Sequence, residues 1–340
     1  MATPTTPPTR SILTADELVD LSLQVAGHPG IVTTRDDQWI VKAANQAERA
    51  FYEAAYQNPH HADSALVRNY LAKFAGTVLF YPPQATATQP EAAVQVSGQD
   101  QVQAKPEEGI QLANQFHNLV EPFIMDVKIG THLYEASAPT EKKVRFRSKY
   151  GHTPSFRYGV RIAGFHIPDP SNPQGAALTL DRESLRAITT EDTPAWVAKF
   201  VPAARLGEDY ASALLEWLQE DFAGLNRALG EGDGANLYAI GASTLVMYEG
   251  NVERALPLFK EWQVAHTASQ VEAARRIRDQ LFRFTMIDFG HSYWEANPTV
   301  LNGIRLGLSN LVQIVKSIRT GQPMEWQEGA KGNVDETALV

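Results

Sequence analysis

The stretch PFIMDVKIG, residues 122 to 130, predicts a largely apolar strand that carries two charged side chains. Because side chains alternate along a strand, Asp126 and Lys128 share one face with Ile124, whereas the opposite face is wholly apolar. Such a pair is either a partly buried ion pair or two groups that contact a polar ligand. The strand ends at Gly130, and the choice between the two interpretations depends on the rest of the chain.

Composition sets the broad class of the protein. The 340 residues are 44% hydrophobic, which is enough to fill the cores of two lobes. The 30 basic and 39 acidic residues give a net charge of -9, so we expect no nucleic-acid partner. Without cysteine there can be no disulfide, thiolate metal site or cysteine nucleophile. Since no apolar run is long enough to span a membrane, we expect a soluble, intracellular protein. We further expect a monomer in the cytoplasm, the nucleus or both.

Turn residues and hydrophobic periodicity predict an α+β fold of two lobes. A small β-rich lobe, which begins with an antiparallel meander, precedes a larger α/β lobe. The expected boundaries are a disordered tail at 1–12, the first lobe at 13–120, the second lobe at 121–333 and a tail at 334–340. A flexible loop is predicted at 84–109, where Gln, Ala, Pro and Glu replace large apolar residues.

Asp288, in the stretch FTMIDFGHS, is a candidate metal ligand. It is predicted on an apolar strand face, where a carboxylate needs a cation or several hydrogen-bond donors. Mg²⁺ bridging nucleotide phosphates would meet that need, and donors from a following turn are the alternative. The letters DFG also occur in protein kinases, but this sequence lacks the HRD, APE and G-x-G-x-x-G motifs of those enzymes.

Lys42 lies on the third predicted strand of the meander, where a lysine can reach the phosphates of a nucleotide. Glu48, six residues later, can hold that lysine in place. Alternatively, Glu48 completes a capping arrangement with Asn45, the predicted N-cap of the next helix.

The segment EKKVRFRSKY, residues 141–150, is strongly basic. As a helix, it places Lys142, Arg145 and Lys149 on one face, and Ser137 is its predicted cap. Five basic residues within eight indicate a compact polyanion site, although a charge run is more often a solvated surface. Together with a phosphate-binding lysine and a metal-binding carboxylate, this segment indicates a phosphotransferase, because phosphoryl transfer needs mainly positioning and charge neutralisation.

Six motifs, in order along the chain, resemble those of the inositol polyphosphate kinase family. PFIMDVKIG resembles the family signature P-x-x-x-D-x-K-x-G, and GVRIAGF (159–165) resembles its G-x-R-x-x-G-M motif. The other four are QVAGH (24–28), VKAANQAERAFYE (41–53), ASTLVMYEG (242–250) and MIDFGHS (286–292). The resemblance covers nearly the whole chain outside the first tail, the predicted loop and residues 251–280.

The resemblance implies a fold distantly like that of protein kinases, with ATP and Mg²⁺ bound between the lobes. Asp126, Lys128 and Asp288 would be the catalytic residues. Asp126 would bind the ribose of ATP, Lys128 would contact a substrate phosphate and the transferring group, and Asp288 would hold the metal. Lys42 would hold the ATP phosphates.

The remaining ligand contacts also follow from the resemblance. The segment QLANQF, which includes Leu112 and Asn114, would carry adenine through backbone groups. The basic residues Lys142, Arg145 and Lys149 would grip the inositol phosphates. His291 would lie close to the substrate, and Arg161 would have a structural role behind the site.

The chain departs from the family pattern at three places. Ala113 or Asn114 stands where relatives often have an acidic residue, Ala242 precedes Ser243 where two serines are usual, and Gly290 replaces alanine. The link between the D-x-K-x-G motif and the next motif is under thirty residues, which resembles the multikinase and hexakisphosphate kinase branches.

We therefore expect phosphorylation of inositol trisphosphate and tetrakisphosphate at more than one hydroxyl, as in the multikinase branch. Three alternatives stay open. They are a hexakisphosphate kinase that makes pyrophosphates, a non-catalytic scaffold that binds inositol phosphates, and a lipid kinase acting on phosphoinositide head groups.

Overall fold

The first lobe is built on a mixed β-sheet. The computed structural model describes residues 11–21, 30–81, 105–169 and 178–329. In these ranges the first-lobe strands are β1 (Ser11–Leu13), β2 (Leu18–Asp20), β3 (Val32–Thr34), β4 (Trp39–Ala43), β5 (Phe74–Phe80) and β6 (Glu107–Ala113). Their spatial order is β1-β5-β6-β4-β3-β2, and the antiparallel pairs β2–β3 and β3–β4 form a meander. The meander was predicted to begin at Leu21, but its first strand, β2, lies just before that residue.

The helices of the first lobe lie between β4 and β5. They are α1 (Gln46–Gln57), α2 (Pro59–Ala62) and α3 (Ala65–Tyr70). Asn45 caps α1 as predicted, because its side chain accepts a hydrogen bond from the backbone N–H of Glu48. In α1, the buried ring of Phe51 stacks on Phe289 with centroids 4.1 Å apart, so this helix also packs on the second lobe.

The second lobe contains a five-stranded sheet and a two-stranded ribbon. Its strands are β7 (Pro122–Ile129), β8 (Val160–Ile167), β9 (Leu178–Thr179), β10 (Leu237–Ala239), β11 (Ser243–Glu249), β12 (Phe282–Ile287) and β13 (Ser292–Trp294). The main sheet has the order β12-β11-β7-β8-β9, and β10 pairs with β13. The strand that carries Asp126 and Lys128, β7, is therefore the central strand.

Helices cover this sheet. They are α4 (Thr140–Tyr150), α5 (Ser155–Tyr158), α6 (Arg182–Ala187), α7 (Thr193–Phe200), α8 (Ala203–Leu206), α9 (Glu208–Ala228), α10 (Val252–Thr267), α11 (Val271–Leu281) and α12 (Pro298–Thr320). The apolar faces of α9 and α12 belong to one core that extends over the wholly apolar face of β7 and into α1. The predicted α+β fold, with a small β-rich lobe and a larger second lobe, is confirmed.

Close packing by α12 fixes the ends of β7 and β8. A side chain at Gly307 would place its Cβ only 2.1 Å from the carbonyl oxygen of Gly159, so the helix can approach only with glycine there. Gly159 itself has φ +68°, and its carbonyl accepts a hydrogen bond of 2.9 Å from the N–H of Gly130. The backbone just after Lys128 and just before Arg161 is thereby held in place.

The chain passes between the two sheets through residues 114–121, the inter-lobe linker. A buried carboxylate, Glu249, holds the second-lobe end of this linker. It accepts hydrogen bonds from the N–H groups of Val120 (2.8 Å), Glu121 (3.0 Å) and Asn251 (2.9 Å). The guanidinium of Arg254 lies 3.3 Å from the same carboxylate and balances its charge.

Asn114 holds the first-lobe end of the linker. Its amide nitrogen donates to the carbonyl oxygen and to the carboxylate of Asp37, at 2.9 and 2.8 Å. Its amide oxygen accepts a bond of 2.9 Å from the N–H of Phe116. The linker is therefore tied at each end by one buried side chain.

Three local predictions need correction. Ser11 and Ile12, predicted in the tail, form part of β1, because their backbone pairs in parallel with β5 at the edge of the sheet. Residues 107–109 of the predicted loop belong to β6, since they pair with β5. The N-cap position of α4 is Pro139 rather than Ser137, and no side chain caps the helix there.

Other predicted segments lie wholly or partly outside the described residues. These are the first ten residues, the QVAGH motif, most of the predicted loop, and the end of the chain from residue 330. Among the described helices, none is both long enough and apolar enough to cross a lipid bilayer.

We expect Glu249→Ala to lower the free energy of unfolding by about 3–5 kcal/mol, because it leaves three backbone N–H groups and the half-buried guanidinium of Arg254 without their acceptor. Chemical denaturation of the full chain measures the change. Glu253→Ala, at an exposed position on α10, is the matched control and should change stability by less than about 0.5 kcal/mol. Equal effects of the two substitutions would contradict the role assigned to Glu249.

Candidate active site

A cleft of about 660 Å³ opens between the two lobes. The first lobe contributes residues from β4 and from the start of α1, and the second lobe contributes residues from β7, β8, α4, α6 and the turn after β12. Charged side chains of both signs line it. This composition suits a polar, anionic ligand better than an apolar one.

One row of residues crosses four strands at the floor of this cleft. Ile287 pairs with Ser243, Ser243 with Lys128, and Lys128 with Arg161. Neighbouring strands are about 4.8 Å apart, so this register places Lys128 and Arg161 side by side. Asp288 follows Ile287 directly and lies at the other end of the row.

Asp288 and Lys128 form an ion pair across this row. Asp288 lies just beyond the end of β12 and has φ 67°, a left-handed conformation that is uncommon for a residue other than glycine. Such local strain concentrates at functional sites. The ammonium of Lys128 also donates to the carbonyl oxygen of Gly241 at 2.7 Å, so two acceptors fix its position.

Lys42 and Glu48 form a second ion pair, 2.7 Å long, on the first-lobe side of the cleft. Glu48 therefore holds the lysine, and its backbone N–H is at the same time capped by Asn45. The amide nitrogen of Asn45 donates to the carbonyl oxygen of Gly290 at 2.9 Å. This bond joins the start of α1 to the turn that follows Asp288. It therefore fixes the position of the Lys42–Glu48 ion pair relative to the Lys128–Asp288 ion pair.

Asp126 does not form a closed ion pair with Lys128. Its side chain is buried, with a residue exposure of 2%, and its Oδ1 atom has no hydrogen-bond partner among the described residues. Burial raises the pKa of its carboxyl above the ordinary value of 3.8, although the positive charge of Lys128 acts in the opposite direction. A buried acceptor that faces a cleft without a partner is prepared for a ligand that donates a hydrogen bond.

The structure brings six of the predicted site residues to the lining of the cleft. They are Lys42, Asp126, Lys128, Lys149, Asp288 and His291. His291 is also held by Glu135, whose carboxylate lies 3.0 Å from its Nδ1 atom. Asp126 and Lys128 do share one face, as the strand periodicity predicts.

Four predicted residues do not reach this lining. Lys142 and Arg145 lie over the ring of Phe146, at 5.9 and 6.0 Å, because α4 meets the cleft only with its last turn. Leu112 is buried in the core, and the side chain of Asn114 is engaged by Asp37. A role for the backbone of the linker in binding adenine stays a prediction.

Three arginines line the cleft that were not predicted in the site. Arg161, expected behind the site, lies in it and stacks over the ring of Tyr150 at 4.4 Å. Arg182 and Arg186 of α6 also contribute to the lining. Their spacing of four residues on a helix was a usable signal, but nothing in the sequence indicated that α6 packs beside β8.

A divalent ion fits the acidic end of the cleft. Within the described ranges, no group of three or more His, Asp or Glu side chains forms a metal site by itself. An ion at the carboxylate of Asp288 would therefore take further ligands from phosphate oxygens and water, as Mg²⁺ commonly does. The partly exposed carboxylate and the nearby lysines suit a metal–nucleotide complex.

Comparison with known proteins agrees with this geometry. A model of the inositol polyphosphate kinase family matches residues 109–316. Inositol polyphosphate multikinase of Schizosaccharomyces pombe is 23% identical over 292 residues, which cover 85% of this chain and 93% of that protein. Human inositol hexakisphosphate kinase 3 is 27% identical over 223 residues, which cover 62% of this chain but only 51% of that protein.

The fold is shared with a solved relative. A crystal structure of an inositol phosphate multikinase from S. cerevisiae, in complex with ADP and Mn²⁺, superimposes with a TM-score of 0.58. The alignment covers 82% of this chain and 98% of that chain at 20% sequence identity. At this identity the likeness concerns the fold.

We expect Asp126→Asn to stabilise the ligand-free protein at neutral pH. Because the pKa of Asp126 is raised in the folded state, that state binds a proton more readily than the unfolded chain. The carboxylate therefore weakens folding progressively as pH rises above about 4, the ordinary aspartate value, and asparagine lacks this effect.

Melting temperatures measured between pH 4 and pH 7.5 test this expectation. The advantage of Asp126→Asn over the parent should be small near pH 4 and should grow as pH rises, until the carboxyl is fully ionised. Asp20→Asn, at an exposed position on β2, is the control and should show no such trend. A variant less stable than its parent at pH 7 would contradict the assignment.

Proposed function

This chain belongs to the inositol polyphosphate kinase family, and we propose that it transfers the γ-phosphoryl group of ATP to ring hydroxyls of inositol tris- and tetrakisphosphates. The observation that supports this most strongly is the row across the sheet. It runs from a carboxylate suited to a metal, through a fixed lysine, to an arginine. That order matches a metal–nucleotide complex at one end and a polyanionic acceptor at the other.

On the nucleotide side, Lys42 would contact the phosphates and is positioned for this by Glu48. Asp126 would accept a hydrogen bond from a ribose hydroxyl, which would give its Oδ1 atom a partner. Asp288 would hold Mg²⁺, which when bound neutralises charge on the β- and γ-phosphates. Adenine recognition by backbone groups of the linker is part of the same proposal.

On the acceptor side, Lys128 lies between the nucleotide residues and the arginines. Held by Asp288 and by the carbonyl of Gly241, its ammonium can stabilise negative charge on the transferring group without reorganisation. Lys149 and His291 line the cleft nearby and would position the inositol phosphate. Catalysis of in-line transfer then depends on positioning and charge neutralisation.

One observation favours the multikinase activity over that of a hexakisphosphate kinase. The similarity to the S. pombe multikinase extends over nearly all of that protein, whereas the similarity to human inositol hexakisphosphate kinase 3 extends over half of it. The segment between Gly130 and Gly159 is short, as in both of these branches, so its length does not distinguish between them.

Turnover with a panel of inositol phosphates, ATP and Mg²⁺ tests the proposal, with products resolved by isomer. We expect phosphorylation of tris- and tetrakisphosphates, and a loss of kcat of about 100- to 1,000-fold in Asp288→Asn. Product from the hexakisphosphate alone would favour the pyrophosphate-forming alternative. Turnover of phosphoinositides alone would favour a lipid kinase, and binding without any turnover would favour a scaffold.

We expect Lys149→Gln and Lys142→Gln to differ, although both remove one positive charge from α4. Lys149 lines the cleft, so its loss should raise KM for the inositol phosphate by about tenfold with little change in KM for ATP. Lys142 lies over Phe146 and should change either constant by less than about twofold. Steady-state kinetics decides, and equal effects of the two substitutions would contradict the placement of α4.

A further inference from the structure

The cleft holds an excess of positive charge away from its nucleotide end. Lys42 is paired with Glu48 and Lys128 with Asp288, so the charges of these lysines are balanced within the protein. Four other cations line the cleft and form no ion pair with a carboxylate among the described residues. They are Lys149, Arg161, Arg182 and Arg186.

The two arginines of α6 are held in place by the fold. They are four residues apart and so share one side of the helix. Between them Leu185 is buried in the core, which fixes the rotation of α6 against β8. Asp181 caps the start of the helix with a bond of 2.7 Å, and the ring of His152 lies 2.6 Å from the carbonyl oxygen of Arg186 at its end.

Arg161 connects this helix to the catalytic row. It is the cross-strand neighbour of Lys128, and its buried Nε atom has no hydrogen-bond partner among the described residues. Burial lowers the pKa of Arg161 and the nearby charge of Arg186 acts in the same direction, whereas Tyr150 and Asp126 act in the opposite direction. The three arginines outnumber this one carboxylate, so an anion bound between them is favoured.

We propose that Arg161, Arg182 and Arg186, the arginine wall, form a second phosphate-binding surface that holds a phosphate remote from the reacting hydroxyl. The site then favours inositol phosphates with more phosphates than a trisphosphate. This inference rests on the proposed function. Arginine suits the task because its planar group binds phosphate through two parallel hydrogen bonds.

The double variant Arg182→Gln/Arg186→Gln tests the wall in the full chain. Inositol hexakisphosphate is the probe, because it carries a phosphate on every ring carbon and reaches the wall in any orientation. Calorimetry should show its binding weakened by about 10- to 100-fold. Binding of an inositol trisphosphate should weaken at least about fivefold less, and KM for ATP should stay within about twofold.

The matched control is Arg275→Gln/Arg276→Gln, which removes two exposed charges from α11, away from the cleft. It should leave the affinities for both inositol phosphates and KM for ATP within about twofold of the parent values, because exposed charges act over only about 10 Å at moderate salt. A similar loss in the control would show that net charge rather than the wall is responsible, and would overturn the proposal.

Two further outcomes would also overturn it. One is unchanged hexakisphosphate affinity in a double variant that still turns over ATP, and the other is an equal loss for both inositol phosphates. In both cases an active parent enzyme leaves the proposed function standing. A parent that neither binds nor phosphorylates any inositol phosphate would instead overturn the proposed function, and the wall with it.

Discussion

The pairing of β7 with a neighbour on each side determines where the charged groups on the floor of the cleft lie. Because β7 is the central strand, its register with β11 and with β8 aligns Lys128 and Arg161 in one row with Ile287, the residue before Asp288. A shift of one residue in either pairing would turn each side chain to the opposite face of the sheet. The glycines that admit α12 against the ends of β7 and β8 secure this register, so packing far from the cleft supports its chemistry.

Short-range patterns predicted the parts of the site that lie on one element. The two-residue period of a strand placed Asp126 and Lys128 on one face, and a capping residue located the start of α1 at Asn45. Periodicity also gave the shared face of α4, but not the direction in which that helix runs. Lys142 and Arg145 were therefore assigned to a cleft that only the last turn of α4 reaches.

Long-range relations were beyond such patterns. Arg182 and Arg186 are more than fifty residues from Lys128 in sequence, and only the packing of α6 beside β8 brings them to the same cleft. Nothing in the sequence indicated that Glu249 is buried, because an acidic residue at the end of a strand is usually solvated. Its burial follows from the backbone N–H groups of the linker, which the sequence does not display. Pairings between distant segments thus decide which polar residues become functional.

The fixed ends of the inter-lobe linker have a consequence for motion. Asn114 ties one end to the first lobe, and Glu249 ties the other end to the second lobe. The lobes are also joined away from the linker, where Phe51 of α1 stacks on Phe289 and Asn45 bonds to Gly290. Two separate connections oppose a hinge movement between the lobes. The cleft is therefore formed before a ligand arrives, and binding need not include the cost of bringing Lys42 and Asp288 together.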